Sequence, residues 1–268
     1  MFDLTEASKL ATANKKHYFC DVKFVDVTYQ LKKINSMSER QFDNFDQFAT
    51  DYRQIHNDNI KISGADSDYF CEFKVLKIKE IENIAAPKIL DLGCGDGQSS
   101  IFFEKHFPNC EYHGIDVSED SIKVAKEKKL ANSHFQPYDG GSVPFAEQTF
   151  DVVFIACVLH HVDFQYHEGI LNEVKRVLKP GGRLYIFEHN PYNPVTVKVV
   201  NECPFDEDAV LLKPSYSKRL LNKIKFGSFA INYVIFFPRK GIFKKMLFLE
   251  KYFERVPLGG QYYVRAVK

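Results

Sequence analysis

The amino-acid sequence reads Lys88-Ile89-Leu90-Asp91-Leu92-Gly93-Cys94-Gly95-Asp96-Gly97-Gln98-Ser99-Ser100 across its most glycine-rich turn. An apolar run ends at an acidic residue, glycine then occupies every second position, and a helical pattern follows as far as Phe107. This order predicts a strand, a tight turn and a helix. Glycines suit such a turn because its backbone angles are unusual and because a ligand must approach the main chain closely.

Two other interpretations of the turn stay open at this point. Strand-to-helix turns that bind nothing also use glycine. The dinucleotide fingerprint, which would indicate a nicotinamide-dependent oxidoreductase, requires a third glycine three residues after the second. That position is Gln98 and the next glycine comes one residue early, so the spacing argues against an oxidoreductase.

Composition limits the classes of function. The 268 residues are enough for one large α/β domain with an extra segment. With 36 basic and 35 acidic residues, the chain has no charge excess that favours nucleic acid or anionic membranes. We expect no integral membrane segment and no signal peptide, because no apolar run is long enough and the amino terminus lacks the basic start and apolar core. The six cysteines are scattered without zinc-ligand spacing, which predicts reduced thiols and a cytoplasmic protein.

Strands and helices alternate after Pro87, which is typical of a doubly wound parallel sheet. The run from Phe150 to Ala156 is almost entirely apolar, as expected of a strand covered on both faces. The fifth predicted strand runs from Leu184 to Glu188, and residues 229–238 and 261–267 complete the predicted strands. Residues 241–256 are rich in Phe and Lys; we expect this stripe to pack on the sheet, with a membrane surface as the alternative.

Asp116 lies at the end of the second predicted strand, about twenty residues after the glycine turn. A carboxylate at that position accepts the protons of both ribose hydroxyls of a bound cofactor. Such a contact serves NAD and S-adenosylmethionine equally. The alternative is a helix cap or loop carboxylate, since Ser118 begins the next helix.

Four segments, taken in order, resemble the class I S-adenosylmethionine-dependent methyltransferases of the small-molecule type. They are the turn in the pattern apolar-Asp-x-Gly-x-Gly-x-Gly; Asp139-Gly140 followed by Val143-Pro144-Phe145; Phe150-Asp151-Val152-Val153; and Leu178-Lys179-Pro180-Gly181-Gly182-Arg183-Leu184. The resemblance implies S-adenosyl-L-methionine as cofactor. It also implies a Rossmann-like, doubly wound seven-stranded α/β sheet, mostly parallel with an antiparallel last strand, and helices on both faces.

The resemblance also implies which residues bind the cofactor. They are Tyr52, Asp91, Gly93, Cys94, Gly95, Gln98, Asp116, Val117, Asp139, Gly140, Ala156 and His161. In the family the equivalent of Asp139 receives the adenine amino group. An aromatic residue at the position of Tyr52 closes over the cofactor, and a histidine matching His161 lines the pocket.

Three residues are candidates for catalysis. His160 follows the fourth strand, and Glu188 and His189 follow the fifth, where ligands of open parallel sheets bind. The sulfonium methyl is already activated, so alignment of the acceptor alone contributes about 7–11 kcal/mol. A base matters only for a hydroxyl acceptor. For His160 a hydrogen-bonded structural histidine stays the alternative, and because no acidic cluster is visible the sequence predicts no metal site.

The sequence therefore predicts a methyltransferase acting on a small or mid-sized metabolite, with O-methylation preferred and nucleic acid not expected as a partner. The rival hypotheses are a C-methyltransferase of a quinone or lipid acceptor and a non-catalytic cofactor-binding subunit. Residues 1–36 are predicted to be an accessory segment and 37–268 the methyltransferase domain. Its parts are a helical cap (37–86), a cofactor-binding core (87–190) and a substrate-side insert with the final strands (191–268). No pattern specifies an oligomeric state.

Overall fold

The computed structural model describes residues 52–268; the predicted accessory segment 1–36 lies outside the described residues. Seven strands form one sheet in the order β3-β2-β1-β4-β5-β7-β6. They are β1 Lys88–Leu92, β2 Glu111–Asp116, β3 Ser133–Pro137, β4 Phe150–Ala156, β5 Leu178–His189, β6 Phe229–Val234 and β7 Gln261–Val267. All neighbouring pairs are parallel except those of β7, which runs antiparallel to both β5 and β6. The predicted fold class is confirmed.

Eight α-helices connect or flank the strands within the described residues. They are α1 Tyr52–Asn59, α2 Ser67–Ile81, α3 Gln98–His106, α4 Glu119–Glu127, α5 Phe164–Val177, α6 Pro194–Glu202, α7 Pro214–Lys223 and α8 Glu250–Phe253. Short 3₁₀ helices lie at Lys61–Ser63, Leu159–His161, Pro204–Asp206 and Gly241–Leu249. No helix among residues 52–268 combines the length and the apolar composition needed to cross a bilayer.

The sheet separates two hydrophobic cores because successive side chains of a strand point to opposite faces. On β4, Val153 and Ile155 enter the core formed with α5 and α7, whereas Val152 and Phe154 enter the core formed with α2 and α3. Helices therefore cover both faces, which explains why β4 is apolar throughout.

The direction of the connections reverses between β1 and β4, which are neighbours in the sheet. To one side the chain continues through β2 and β3, and to the other through β5. Crevices that bind ligands open at such a switch point, outside the carboxyl ends of the strands. The glycine turn follows β1 and the two histidines follow β4, so both motifs lie at this edge.

Two predictions about the carboxyl-terminal part need correction. β5 begins at Leu178 rather than near Leu184, because Leu178 already pairs with Phe150 ahead of an irregularity in the register. The apolar stripe between residues 241 and 256 does not pack fully on the sheet. Ile242, Phe248 and Tyr252 are 73%, 67% and 70% exposed.

Candidate functional site

The glycine turn is fixed to the neighbouring strand by its own backbone. The amides of Gly93 and Cys94 both donate to the carbonyl of Ile115, at 2.8 and 3.1 Å. Gly93 has φ +79°, and a Cβ there would lie 2.4 Å from Val158 of the turn after β4. Gly95 has φ +53°, and a Cβ there would meet nothing within 4 Å. The turn therefore packs tightly on one side and leaves open space beside Gly95, where a ligand can reach the main chain.

The third glycine, one residue early for a dinucleotide fingerprint, has its own structural reason. Gly97 precedes α3 with φ +74°, and a Cβ there would lie 2.8 Å from both Ala125 and Phe135. Only glycine lets α3 begin this close to β3 and α4. Gln98, predicted to contact the cofactor, begins the helix and donates to the Asp68 carboxylate at 2.8 Å.

Asp116 connects the two sides of the crevice. Its Oδ2 accepts a hydrogen bond from the Gly95 amide at 2.8 Å, and its Oδ1 accepts one from the Ser118 amide at 2.9 Å. Asp116 therefore does act in part as a loop carboxylate, which was the alternative to a ribose-binding role. The same bonds hold the carboxylate at the carboxyl end of β2, beside the glycine turn, which is the position that a ribose-binding carboxylate requires.

Asp91 lies in the protein interior, just before the glycine turn. Its side chain is buried, and its carboxyl accepts a hydrogen bond from the Tyr112 hydroxyl. Burial raises the pKa of Asp91 to about 7, although the Tyr112 hydrogen bond works in the opposite direction. Cys94 is also buried, and burial raises the pKa of its thiol well above the usual value. Both side chains stabilise the turn from the protein interior.

The remaining predicted cofactor residues follow the strand ends. Asp139 is exposed and accepts from the Gly141 amide at 2.9 Å, next to Gly140 with φ +80°. Val117 and Ala156 are partly buried at the ends of β2 and β4. Tyr52 is the first residue of α1, and its side chain lies outside the described residues.

Arg53 is a polar contact of the glycine turn that sequence reasoning missed. Its Nε and Nη2 donate to Asp96 Oδ2 at 2.8 and 2.6 Å, and its Nη1 donates to Asp68 at 2.6 Å. These bonds attach α1 to the glycine turn and to α2. No sequence signal marked Arg53, because a basic residue on a short polar helix is most often simply solvated.

The turn after β4 presents the two histidines. Cys157 adopts φ +58°, a left-handed conformation that costs a non-glycine residue about 1–2 kcal/mol. Its amide donates to Phe187 of β5 at 2.8 Å, and the chain then enters the short helix Leu159–His161. The Val210 amide donates to the His160 carbonyl at 2.7 Å. The insert after α6 is thereby attached to this turn.

His160 and Glu188 form a buried pair. His160 Nδ1 lies 2.5 Å from Glu188 Oε2, while Glu188 Oε1 accepts from the Leu159 amide at 3.1 Å. Both side chains are almost completely buried. Burial disfavours a charged His160, but the carboxylates of Glu188 and Asp206 outweigh it and raise the pKa of His160 well above its usual value. Of the predicted catalytic residues, Glu188 therefore lies behind His160 and orients it.

Asp206 joins this pair from the insert, and sequence reasoning missed it. Its Oδ1 lies 3.3 Å from His161 Nε2 and 3.7 Å from His160 Nε2. Burial would raise the pKa of Asp206, but the two histidines lower it below its usual value. His161, predicted to line the cofactor pocket, thus contacts the insert, and its Nδ1 lies 3.2 Å from Asp208. No spacing pattern connects Asp206 with residues so distant in the sequence.

Two further histidines surround the cluster. The ring of His189, the third predicted catalytic residue, lies 5.2 Å from that of His160. Burial and the nearby charge of His160 lower the pKa of His189 to about 4. Burial and the charge of Lys74 lower the pKa of His56, on α1, to about 4 as well. Both imidazoles are therefore neutral near pH 7.

The fold and the site define an α/β protein with a cofactor-type glycine turn and a histidine–carboxylate cluster at one switch point. Comparison with known proteins gives the class. Residues 89–182 match the family described as a methyltransferase domain. An uncharacterized methyltransferase of Bacillus subtilis is 33% identical over 131 residues, which are 47% of this chain and 50% of that relative. A demethylmenaquinone methyltransferase of Thermotoga maritima is 32% identical over 116 residues, 43% of this chain and 49% of that relative.

A solved structure from Thermotoga maritima, described as a methyltransferase dependent on S-adenosylmethionine and a possible histamine N-methyltransferase, has the same fold. It aligns with a TM-score of 0.59 at 16% identity, covering 84% of this chain and 98% of that one. The chain spans about half the length of the two curated relatives named above. The matched domain, the sheet topology and the motifs together support a class I S-adenosylmethionine-dependent methyltransferase.

Proposed function

We propose that the chain binds S-adenosylmethionine at the glycine turn and transfers its methyl group to a small or mid-sized metabolite. The observation that carries the proposal is the hydrogen bond between the Gly95 amide and Asp116, which brings an open turn and a carboxylate together at the carboxyl ends of β1 and β2. The cluster around His160 lies at the end of the adjacent strand β4. This arrangement supports a reaction in which cofactor and acceptor meet at the switch point.

O-methylation is the preferred form of the reaction, and the buried cluster supports it. Transfer to a hydroxyl requires removal of its proton as the new bond forms. His160 is held by Glu188, and Asp206 and the neutral His189 lie close to it. These side chains are the polar groups available for that step on the acceptor side. Positioning of the acceptor in line with the sulfonium contributes the largest part of the acceleration.

A quinone-type acceptor methylated on carbon is the second candidate. Relatives named as demethylmenaquinone methyltransferases support it, as do the exposed side chains of Ile242, Phe248 and Tyr252 near several lysines. Apolar and basic residues together suit contact with a lipid surface. The predicted cytoplasmic location and the non-catalytic alternative stay predictions.

Calorimetric titration of the full chain with S-adenosylhomocysteine tests the cofactor. We expect binding near micromolar affinity, about −8 kcal/mol. Transfer of labelled methyl groups from S-adenosylmethionine to pools of phenols, alcohols and short-chain quinones then identifies the acceptor class. Label in a phenol or alcohol supports O-methylation, and label in a quinone ring supports the second candidate. Absence of both binding and transfer would contradict the proposal.

A further inference from the structure

The cluster beside β4 has the composition of a metal site. One nitrogen each of His160 and His161 and one oxygen of Asp206 all lie within 4.8 Å of one another. The histidines come from the turn after β4, and Asp206 comes from the insert helix Pro204–Asp206. The three donors therefore converge from two separate parts of the chain.

Both imidazoles are oriented by a carboxylate on the far side of the ring. Glu188 lies 2.5 Å from His160 Nδ1, and Asp208 lies 3.2 Å from His161 Nδ1. This leaves each Nε2 directed toward Asp206. Histidines that bind a metal almost always have their other ring nitrogen bound to a carboxylate, a backbone carbonyl or a water, which fixes the tautomer and the ring orientation.

The Nε2 atom of His160 lacks an ordinary partner. It is buried and makes no hydrogen bond among the described residues, because the 3.7 Å to Asp206 is too long. Such atoms are rare in folded proteins and call for an explanation, an absent ion among them. Tetrahedral bonds of about 2.0–2.1 Å place two ligand atoms about 3.4 Å apart. The observed 3.3 and 3.7 Å separations from Asp206 match that spacing.

We propose that His160, His161 and Asp206 bind a divalent transition-metal ion of the zinc type. Two imidazoles and one carboxylate favour zinc, iron or a similar ion over magnesium and calcium, which prefer oxygen ligands. Three protein ligands leave at least one coordination position open, as in catalytic zinc sites. The proposal departs from the sequence-based prediction of no metal.

The open position gives the ion a role that rests on the proposed methyl transfer. An acceptor hydroxyl bound there releases its proton to solvent more readily, because the ion stabilises the resulting oxyanion. That oxygen then forms a bond to the methyl carbon while the carbon–sulfur bond breaks, and the electron pair of that bond goes to sulfur. The products are a methyl ether and neutral S-adenosylhomocysteine. The acceptor class is thus an alcohol, phenol or enol.

The test uses the full chain, free of any affinity tag and treated with a chelator. Zn²⁺ is titrated by calorimetry, and Co²⁺ by its visible absorption. We expect one ion per chain, at least tenfold weaker binding in Asp206→Asn and His160→Gln, and about 10–100-fold weaker binding in Glu188→Gln, which removes the orienting carboxylate. The matched controls are Asp120→Asn and His106→Gln, whose side chains pair with Lys123 and Glu72 elsewhere on the protein.

Circular dichroism and titration with S-adenosylhomocysteine accompany each variant. The proposal is overturned if the folded wild type takes up no Zn²⁺, or if the cluster variants bind it as the controls do. Zinc binding without S-adenosylhomocysteine binding would retain the metal site and reject the proposed function. Binding of S-adenosylhomocysteine without binding of zinc would reject the metal site and retain the proposed cofactor binding.

Discussion

The Asp116 carboxylate accepts a hydrogen bond from the Gly95 amide at 2.8 Å, across the ends of the neighbouring strands β2 and β1. Its second oxygen accepts from the Ser118 amide at the start of the next helix. One side chain therefore fixes the shape of the glycine turn and presents a carboxylate beside it. The local order of the turn and the proposed recognition of a ribose therefore depend on the same residue.

Replacement of Asp116 should weaken cofactor binding strongly. Hydrogen bonds to a charged group contribute about 1.5–3 kcal/mol, so we expect Asp116→Ala to raise the Kd for S-adenosylhomocysteine at least tenfold. Asp120→Ala, four residues further along and with its side chain 48% exposed, is the matched control. Calorimetry measures both. A Kd for Asp116→Ala within twofold of the wild type would remove Asp116 from the site.

Alanine substitutions at the two glycines of the turn should have different effects on stability and on cofactor binding. Gly93→Ala forces a Cβ to within 2.4 Å of Val158, so overpacking of about 1–3 kcal/mol adds to a left-handed strain of about 1–2 kcal/mol. Gly95→Ala carries the strain alone, because its Cβ enters open space. We expect urea denaturation to show a large loss of stability for the first variant only.

Cofactor binding provides the second readout for this pair. We propose that the cofactor approaches the main chain in the open space beside Gly95, so Gly95→Ala should lose affinity for S-adenosylhomocysteine while staying folded. If Gly95→Ala binds like the wild type, the cofactor does not approach this part of the turn.

Glu188→Gln should abolish methyl transfer without changing cofactor affinity. The amide oxygen can still accept from the Leu159 amide, but the amide NH₂ then faces His160 Nδ1. A neutral His160 then carries its proton on Nε2, which weakens this nitrogen both as a proton acceptor and as a metal ligand. We expect the turnover rate to fall about 100-fold or more. Glu168→Gln, an exposed change on α5, is the control, and unaltered turnover in Glu188→Gln would contradict this role.

Asp91 should make stability depend on pH between its ordinary pKa of 3.8 and its pKa of about 7 in the folded protein. In that interval the folded state holds one more proton than the unfolded state. The free energy of unfolding should therefore fall as pH rises, by up to about 1.4 kcal/mol per pH unit, and level off above pH 7.

Asp91→Asn removes this proton from both states and should flatten that part of the profile. Urea denaturation from pH 4 to 8 measures it for the wild type, for Asp91→Asn and for the exposed control Asp120→Asn. If wild type and Asp91→Asn show the same slope, Asp91 titrates normally.

The sequence was sufficient for the architecture because periodicity and glycine spacing are local signals. The apolar run of β4 predicted its bounds, Phe150–Ala156, and Asp116 was placed at the end of β2. The exposed positions of Ile242 and Tyr252 were not predictable. An apolar stripe looks the same in sequence whether a sheet covers it or not.

What the sequence determined by itself is the class of protein and the residues that we propose for the cofactor side of the crevice. There the backbone of one turn and the ends of adjacent strands form the candidate site, and each is encoded by neighbouring residues. Only the tertiary structure decided the acceptor side, because Glu188 and Asp206 meet His160 from different elements. The distances among these three residues depend on how the insert packs on β4, and no spacing along the chain records that packing.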